Sequence, residues 1–181
     1  MLKAIILAAG KGTRMKSDKP KVVHEVLGKP MVYYSIEAAK NAGCEKVCVI
    51  VGYKAEEVER SIESTYESLG LSDAMKDTVS YALQKEQLGT GHAVKCASDF
   101  IGNEGDVVVL CGDTPLVTAH TLENAIRRHK EAGNGVTVIS AMLDDPFGYG
   151  RIIRGEHGLD KIVEQKDATE AEQAVCEVNS G

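Results

Sequence analysis

Long apolar runs, a surplus of basic charge and a cysteine framework are all missing from this chain. No stretch approaches the ~20 consecutive apolar residues that a membrane-spanning helix needs. The formal net charge of -6 at pH 7 argues against a general nucleic-acid binder, whose affinity rests on a basic face that neutralises phosphates. It leaves room for a small basic pocket that takes one anion. The five cysteines, Cys44, Cys48, Cys96, Cys111 and Cys176, contain no C-x-x-C pair. Cys44 and Cys48 are spaced for a metal, but no second pair accompanies them, which speaks against zinc and for reduced thiols. The N-terminus shows neither the basic n-region nor the cleavage site of a secretory leader, because "KAIILAA" runs straight into glycine and lysine. A cytoplasmic protein without membrane or nucleic-acid partners is therefore expected. Tyr33, Tyr34 and Tyr149 are too scattered for a base-stacking platform. Internal repeats, low-complexity tracts and linkers are also absent, so residues 1–181 read as one domain.

What is present is ordinary globular material. The 181 residues are 43% hydrophobic and 27% charged, enough for one sizeable core. Residues 2–9 form a continuous apolar run of the kind buried on both faces of a parallel sheet. Pro30 suits a first helical turn, and "MVYYSIEAAKNAG" continues as a helix to Gly43. "KVCVIVG" reads as a second buried strand and "AEEVERSIESTYESLG" as a helix closed by Gly70. "TVSYAL" alternates like a strand, and "GTGHAVKCASDFIG" opens at a glycine turn and becomes a third helix. "GDVVVLCGD" is a fourth strand; Thr118 caps the helix "AHTLENAIRRHKEAG", and "GVTVISAML" returns as a strand. Shorter pieces follow: "GRIIR", a turn at Gly155–Gly158, "LDKIVEQ" and "AVCEVNSG". Strands separated by helices predict βαβ units around a mainly parallel sheet. Ligands of such sheets bind beyond the carboxyl ends of the strands, which directs attention to the loops at 10–21, 84–91 and 112–115.

The first loop, within "LAAGKGTRMKSDKPK", misfits two familiar phosphate templates, because Met15 stands where each requires a further glycine. Its glycines still allow backbone N–H groups to converge on an anion. Lys11, Arg14, Lys16, Lys19 and Lys21 add positive charge, with Asp18 the one acid among them. The plainer reading is a solvated basic loop. The second loop, "LQKEQLGTGHA", holds two glutamines before a helix start. A glutamine amide donates and accepts, as does the imide edge of uracil; the plainer reading is a helix N-terminus capped by Thr90. The third, "LCGDTPL", places Asp113 just past a buried strand. A lone carboxylate there suits magnesium, which takes one or two carboxylates plus phosphate oxygens, or it serves as a turn cap.

These residues carry a resemblance. "LAAGKGTRMKSDKPK" resembles the signature of the sugar-phosphate nucleotidyltransferases. With "QKEQLGTGHA", "LCGDTPL", "GYGRI", "IVEQKDA" and "EVNSG", the likeness narrows to the uridyltransferase domain of the bacterial N-acetylglucosamine-1-phosphate uridyltransferases, over essentially the whole chain. The resemblance implies an α/β fold with a Rossmann-like, mainly parallel sheet flanked by helices, of the nucleotidyltransferase (glycosyltransferase-A-like) type. It implies that Leu7, Ala8, Ala9, Gly10, Gly12 and Thr13 cradle the nucleotide phosphates, with Arg14 and Lys21 as catalytic cations. Gln84, Gly89 and Thr90 match positions that recognise uracil and ribose, and Asp113 matches a ligand of Mg2+. Gly150, Glu164 and Asn179 match positions that hold the sugar phosphate.

The implied partners are UTP and N-acetylglucosamine-1-phosphate. The implied reaction is in-line attack of the sugar phosphate on the α-phosphorus, with pyrophosphate leaving. Its nucleophile is already an anion, so no general base is required, in keeping with loops that offer no catalytic His or Cys. The family's domain continues beyond Gly181 with an asparagine that completes the metal site. It is followed by a left-handed β-helix acetyltransferase domain that builds a trimer, so the chain reads as a fragment or an incomplete member. Two other readings stay open: a nucleotidyltransferase for another base or acceptor, such as a cytidylyltransferase, and an inactive nucleotide-binding module. His92, after Gly91 at a helix start, reads as a packing or backbone-bonding residue, and the acids at 144–145 and 170–173 as solvated surface.

Overall fold

A computed structural model of the chain describes residues 1–12, 15–156 and 158–180. It packs as two compact units, Met1–Asn124 and Ala125–Gly181.

The first unit is built on a four-stranded parallel sheet of β1 (Leu2–Leu7), β4 (Lys46–Val51), β5 (Val79–Leu83) and β6 (Asp106–Cys111), in the order β5-β4-β1-β6. The strands expected from continuous apolar runs are the ones that form it. Ala4, Ile5 and Ile6 of β1 and Val47 to Val51 of β4 are buried, as strands covered on both faces must be. A 3-10 turn at Lys21–Val23 and a two-stranded ribbon, β2 (Glu25–Val26) with β3 (Lys29–Pro30), precede helix α1 (Met31–Asn41). Pro30 lies just outside that helix, in extended conformation at its N-cap. Val32, Ile36 and Ala39, spaced i, i+4, i+7, form the buried stripe of α1, and Val58, Ile62 and Tyr66 form that of α2 (Ala55–Ser68). Gly43 and Gly70 follow these helices with φ of 92° and 69°, the left-handed conformation that stops a helix and that glycine adopts without strain.

A short helix, α3 (Ser72–Thr78), which the sequence pattern did not indicate, leads into β5. The single helix expected over 89–102 is two: α4 (Thr90–Lys95) and α5 (Ser98–Ile101), broken at Cys96–Ala97. Thr118 caps α6 (Ala119–Ala132) as expected, its Oγ1 accepting from the Thr121 N–H at 3.2 Å.

The second unit carries a four-stranded antiparallel sheet of β7 (Ser140–Met142), β8 (Arg151–Gly155), β9 (Gly158–Val163) and β10 (Glu177–Asn179), ordered β7-β10-β8-β9. The strand expected over 135–143 is reduced to Ser140–Met142, the length its partner β10 matches. Between β9 and β10, α7 (Glu170–Gln173) is held by a capping box in which Thr169 and Glu172 bond each other's backbone N–H groups.

Candidate functional site

The strand order has a reversal. From β1 the chain moves to β4 and β5 on one side, then returns to place β6 on the other. Loops after β1 and β6 therefore diverge from adjacent strands, the position where open α/β sheets bind ligands. A cavity of about 360 Å³ lies there, walled by Leu7, Ala9, Gly10, Gly12 and Lys21 from the first loop, Gln84, Gln87, Gly89 and Thr90 from the second, and Cys111 and Asp113 from the third. The three stretches that were separate in sequence share one cavity.

Two glycines make that convergence possible. Gly52 directly follows β4, the strand between β1 and β5. A Cβ on it would stand 2.9 Å from the Ala9 Cβ, 3.0 Å from the Ala9 carbonyl oxygen and 3.1 Å from the Gln84 carbonyl oxygen. The first and second loops thus meet over the end of the central strand because no side chain stands between them. The Tyr53 N–H donates to the Ala9 oxygen at 3.1 Å, and the Gln87 side chain donates to the same oxygen at 2.9 Å. Gly112 does the corresponding service for the third loop: its N–H donates to the Leu7 oxygen at 2.9 Å, and a Cβ would meet that oxygen at 3.0 Å.

Most of the expected residues have a definite place. Ala8 is buried, its N–H donating to the Ile50 carbonyl at 2.9 Å, and it does not line the cavity. Gly10, Lys11 and Gly12 keep backbone N–H groups without a protein acceptor among the described residues. Thr13 and Arg14 lie outside the described residues. Gly12 has φ of 64°, and its Cα faces the Lys21 side chain so closely that a Cβ would fall 2.6 Å from the Lys21 Cβ. Thr90 is the first residue of α4; the N-cap is Gly89, with no side-chain capping bond, so the capping role considered for Thr90 does not hold.

Lys21 and Asp113, expected as phosphate cation and metal ligand, face each other: the ammonium lies 2.5 Å from Asp113 Oδ2, with both side chains about a third exposed. Among the described residues no group of three or more His, Cys, Asp or Glu side chains is arranged to hold a metal ion. A lone carboxylate such as Asp113 would hold magnesium only with companion oxygens supplied by a bound phosphate chain. Burial, and after it the Asp113 carboxylate, pushes the Cys111 thiol up, against a smaller lowering by Lys21. Cys111 is thus kept as a neutral thiol, not an activated nucleophile.

Gly150, Glu164 and Asn179 come together in the second unit. The Asn179 N–H donates to the Gly150 oxygen at 2.8 Å, and a Cβ on Gly150 would meet Glu164 Oε1 at 3.3 Å and Ile162 Cγ2 at 3.1 Å. Beside them Arg151 is buried. Its guanidinium donates to the Tyr149 carbonyl and, at 2.7 Å, to Gln165 Oε1. The roles of Gly52 and Gln87 emerge only in the folded chain. A glycine directly abutting a buried strand was the available signal for Gly52, and the loop position between Gln84 and Gly89 was the one for Gln87.

The parallel sheet with its reversal, and a cavity ringed by glycines, a lysine and one carboxylate, are features suited to an anionic ligand. The nucleotidyl transferase family model matches residues 3–175, and the chain belongs to that family. It is similar to the bifunctional protein GlmU of Caldanaerobacter subterraneus subsp. tengcongensis, 54% identical over 181 residues, covering 99% of this chain and 37% of that protein. The GlmU of Thermoanaerobacter pseudethanolicus is 49% identical over 180 residues, covering 99% of this chain and 36% of that protein. The chain thus spans little more than a third of the length of these relatives. The fold is shared with a UDP-glucose pyrophosphorylase solved with UDP-glucose, at a TM-score of 0.76 and 24% identity, covering 99% of this chain and 73% of that one. Among the described residues no helix is long and apolar enough to cross a membrane.

Proposed function

We propose that this chain transfers the uridylyl group of UTP to N-acetylglucosamine-1-phosphate, forming UDP-N-acetylglucosamine and pyrophosphate. The observation that carries the reading is the convergence of the glycine loop, Lys21, Asp113 and the Gln84–Thr90 segment on one cavity in a nucleotidyl transferase. An oxygen of the sugar phosphate forms a bond to the α-phosphorus, the bond from that phosphorus to the β-phosphate bridging oxygen breaks, and pyrophosphate takes the electron pair. The nucleophile arrives ionised, so the protein has no proton to remove. Its task is to hold two anions together and stabilise charge on the leaving group.

The N–H groups of Gly10 to Gly12, without an acceptor among the described residues, suit phosphate oxygens that approach the backbone. Lys21, now neutralised by Asp113, is the ammonium a triphosphate would compete for, and Arg14 is proposed as the second cation. Magnesium, held by Asp113, supplies charge neutralisation at phosphate oxygens when bound. Gly150, Glu164 and Asn179 are proposed to hold the acceptor sugar phosphate. The test is magnesium-dependent pyrophosphate release from UTP, with and without N-acetylglucosamine-1-phosphate. Release that requires both substrates is expected. Equal turnover of CTP would overturn the base assignment, and failure of the chain to bind either nucleotide would overturn the reading as a whole.

A further inference from the structure

We propose that His92 is a positioning residue that fixes the polarity of the Gln84 side-chain amide, and through it the kind of base edge the cavity accepts. This rests on the reading of the cavity as a nucleotide site. Gln84 is 4% exposed and lines the cavity. One end of its amide lies 3.1 Å from the Gly89 carbonyl oxygen and 3.1 Å from His92 Nδ1. A carbonyl oxygen has no hydrogen to give, and this one already accepts the Ala93 N–H at 3.1 Å. The amide end facing it must therefore be the NH2 group. One of its hydrogens goes to Gly89, and the other points at His92 Nδ1.

That second contact is a hydrogen bond only if Nδ1 carries no proton, so the imidazole is neutral with its hydrogen on Nε2. Both amide hydrogens are then committed within the protein. No described residue donates to Gln84 Oε1, which leaves an acceptor as the group this nearly buried side chain offers a ligand. An acceptor pairs with the imide N–H that uracil presents between its two carbonyls. Cytosine has a bare ring nitrogen at that position, and two acceptors face to face repel. Without the accepting nitrogen of His92 the amide hydrogen loses its partner, and the NH2 end becomes available to a cytosine ring nitrogen. Base choice is thus written in a histidine tautomer one helix turn from the loop.

Two measurements test this. In the wild-type chain labelled with 15N-histidine, two-bond 1H–15N correlations at neutral pH should show His92 protonated at Nε2 and bare at Nδ1; the opposite tautomer overturns the proposal without any variant. Calorimetric titration with UTP and CTP then compares wild type with His92→Leu, which has no acceptor, and His92→Asn, whose Oδ1 replaces Nδ1. His92→Leu is expected to lose about ten-fold in the UTP-to-CTP affinity ratio, the size of one mismatched buried hydrogen bond, while His92→Asn keeps it. A folded His92→Leu with the wild-type ratio, or a His92→Asn that loses it equally, overturns the role. A wild type that binds UTP and CTP alike instead removes the uridine reading itself, and a wild type that binds neither removes the nucleotide site.

Discussion

Adding one methyl group to Gly52 tests whether the loops are built around its bare Cα. The backbone there is not left-handed, so Gly52→Ala introduces a packing conflict without φ strain. The new carbon would sit 2.9 Å from the Ala9 Cβ and about as near to two carbonyl oxygens, inside the ~3.5–4.0 Å at which carbon contacts are favourable. Neither wall yields freely: the Ala9 oxygen holds Tyr53 and Gln87, and the Gln84 N–H donates to Val51 at 2.8 Å. Overpacking of this kind costs about 1–3 kcal/mol, and a chain of this size loses roughly 2–4 °C of melting temperature per kcal/mol. The expected drop is therefore roughly 4–8 °C for a mid-range cost, with weaker UTP binding because the two loops are pushed apart. Gly10→Ala is the counterpart. Nothing stands within 4 Å of its missing Cβ, so melting should be unchanged or slightly higher, while the methyl group obstructs phosphate approach and lowers UTP affinity about ten-fold or more. Circular-dichroism melts and calorimetric titration with UTP read both effects. A Gly52→Ala protein with the wild-type melting temperature and affinity, or a Gly10→Ala protein that binds UTP normally, refutes the account of how the loops meet the ligand.

Lys21→Ala should raise the reaction barrier by about 2–4 kcal/mol, as loss of an oxyanion donor does, yet change the melting temperature little, because a partly exposed ion pair contributes at most about 1 kcal/mol; normal turnover in that variant refutes the assignment. Acid should weaken the second unit through two carboxylates. Hydrogen bonds from Lys161 and then Thr169 lower Glu172 to about 2, and bonds from Arg154 and then Ser140 lower Glu177 to about 2, both from an ordinary value of 4.5. Folded values below unfolded ones mean stability that is fully present above pH 4.5 and disappears as the pH falls towards 2. The melting temperature should decline across that window, and less steeply in a Glu172→Gln, Glu177→Gln double variant.

The central architecture was legible wherever one local signal was strong. Ala4 to Leu7 and Val47 to Val51 are apolar without interruption, and only a strand buried on both faces tolerates that. The stripes of α1 and α2, with Gly43 and Gly70 behind them, carry period and stop together. Legibility failed where a partner decides. Residues 135–139 are as β-prone as Ser140–Met142, but pairing extends only where Glu177–Asn179 lies opposite. The run 89–102 has helical residues throughout, and its break at Cys96–Ala97 carries no glycine or proline to announce it. The sequence pattern pointed to parallel pairing, and the antiparallel ladders of 140–179 depend on long-range register that no local window contains.

The same division holds at the site. Residue types alone marked the glycine loop, Lys21, Gln84 and Asp113 as the chemically unusual parts of the chain, because glycine, cation, amide and carboxylate each announce what they can bind. How those groups spend their bonding capacity belongs to the tertiary structure. Sequence shows a lysine and an aspartate 92 positions apart; their 2.5 Å ion pair follows from β1 and β6 lying side by side. Sequence shows a glutamine that donates and accepts; the fold sets its NH2 group against the Gly89 carbonyl oxygen at 3.1 Å. Hydrogen-bond direction depends on which atom stands opposite, and that is settled only when the chain has folded.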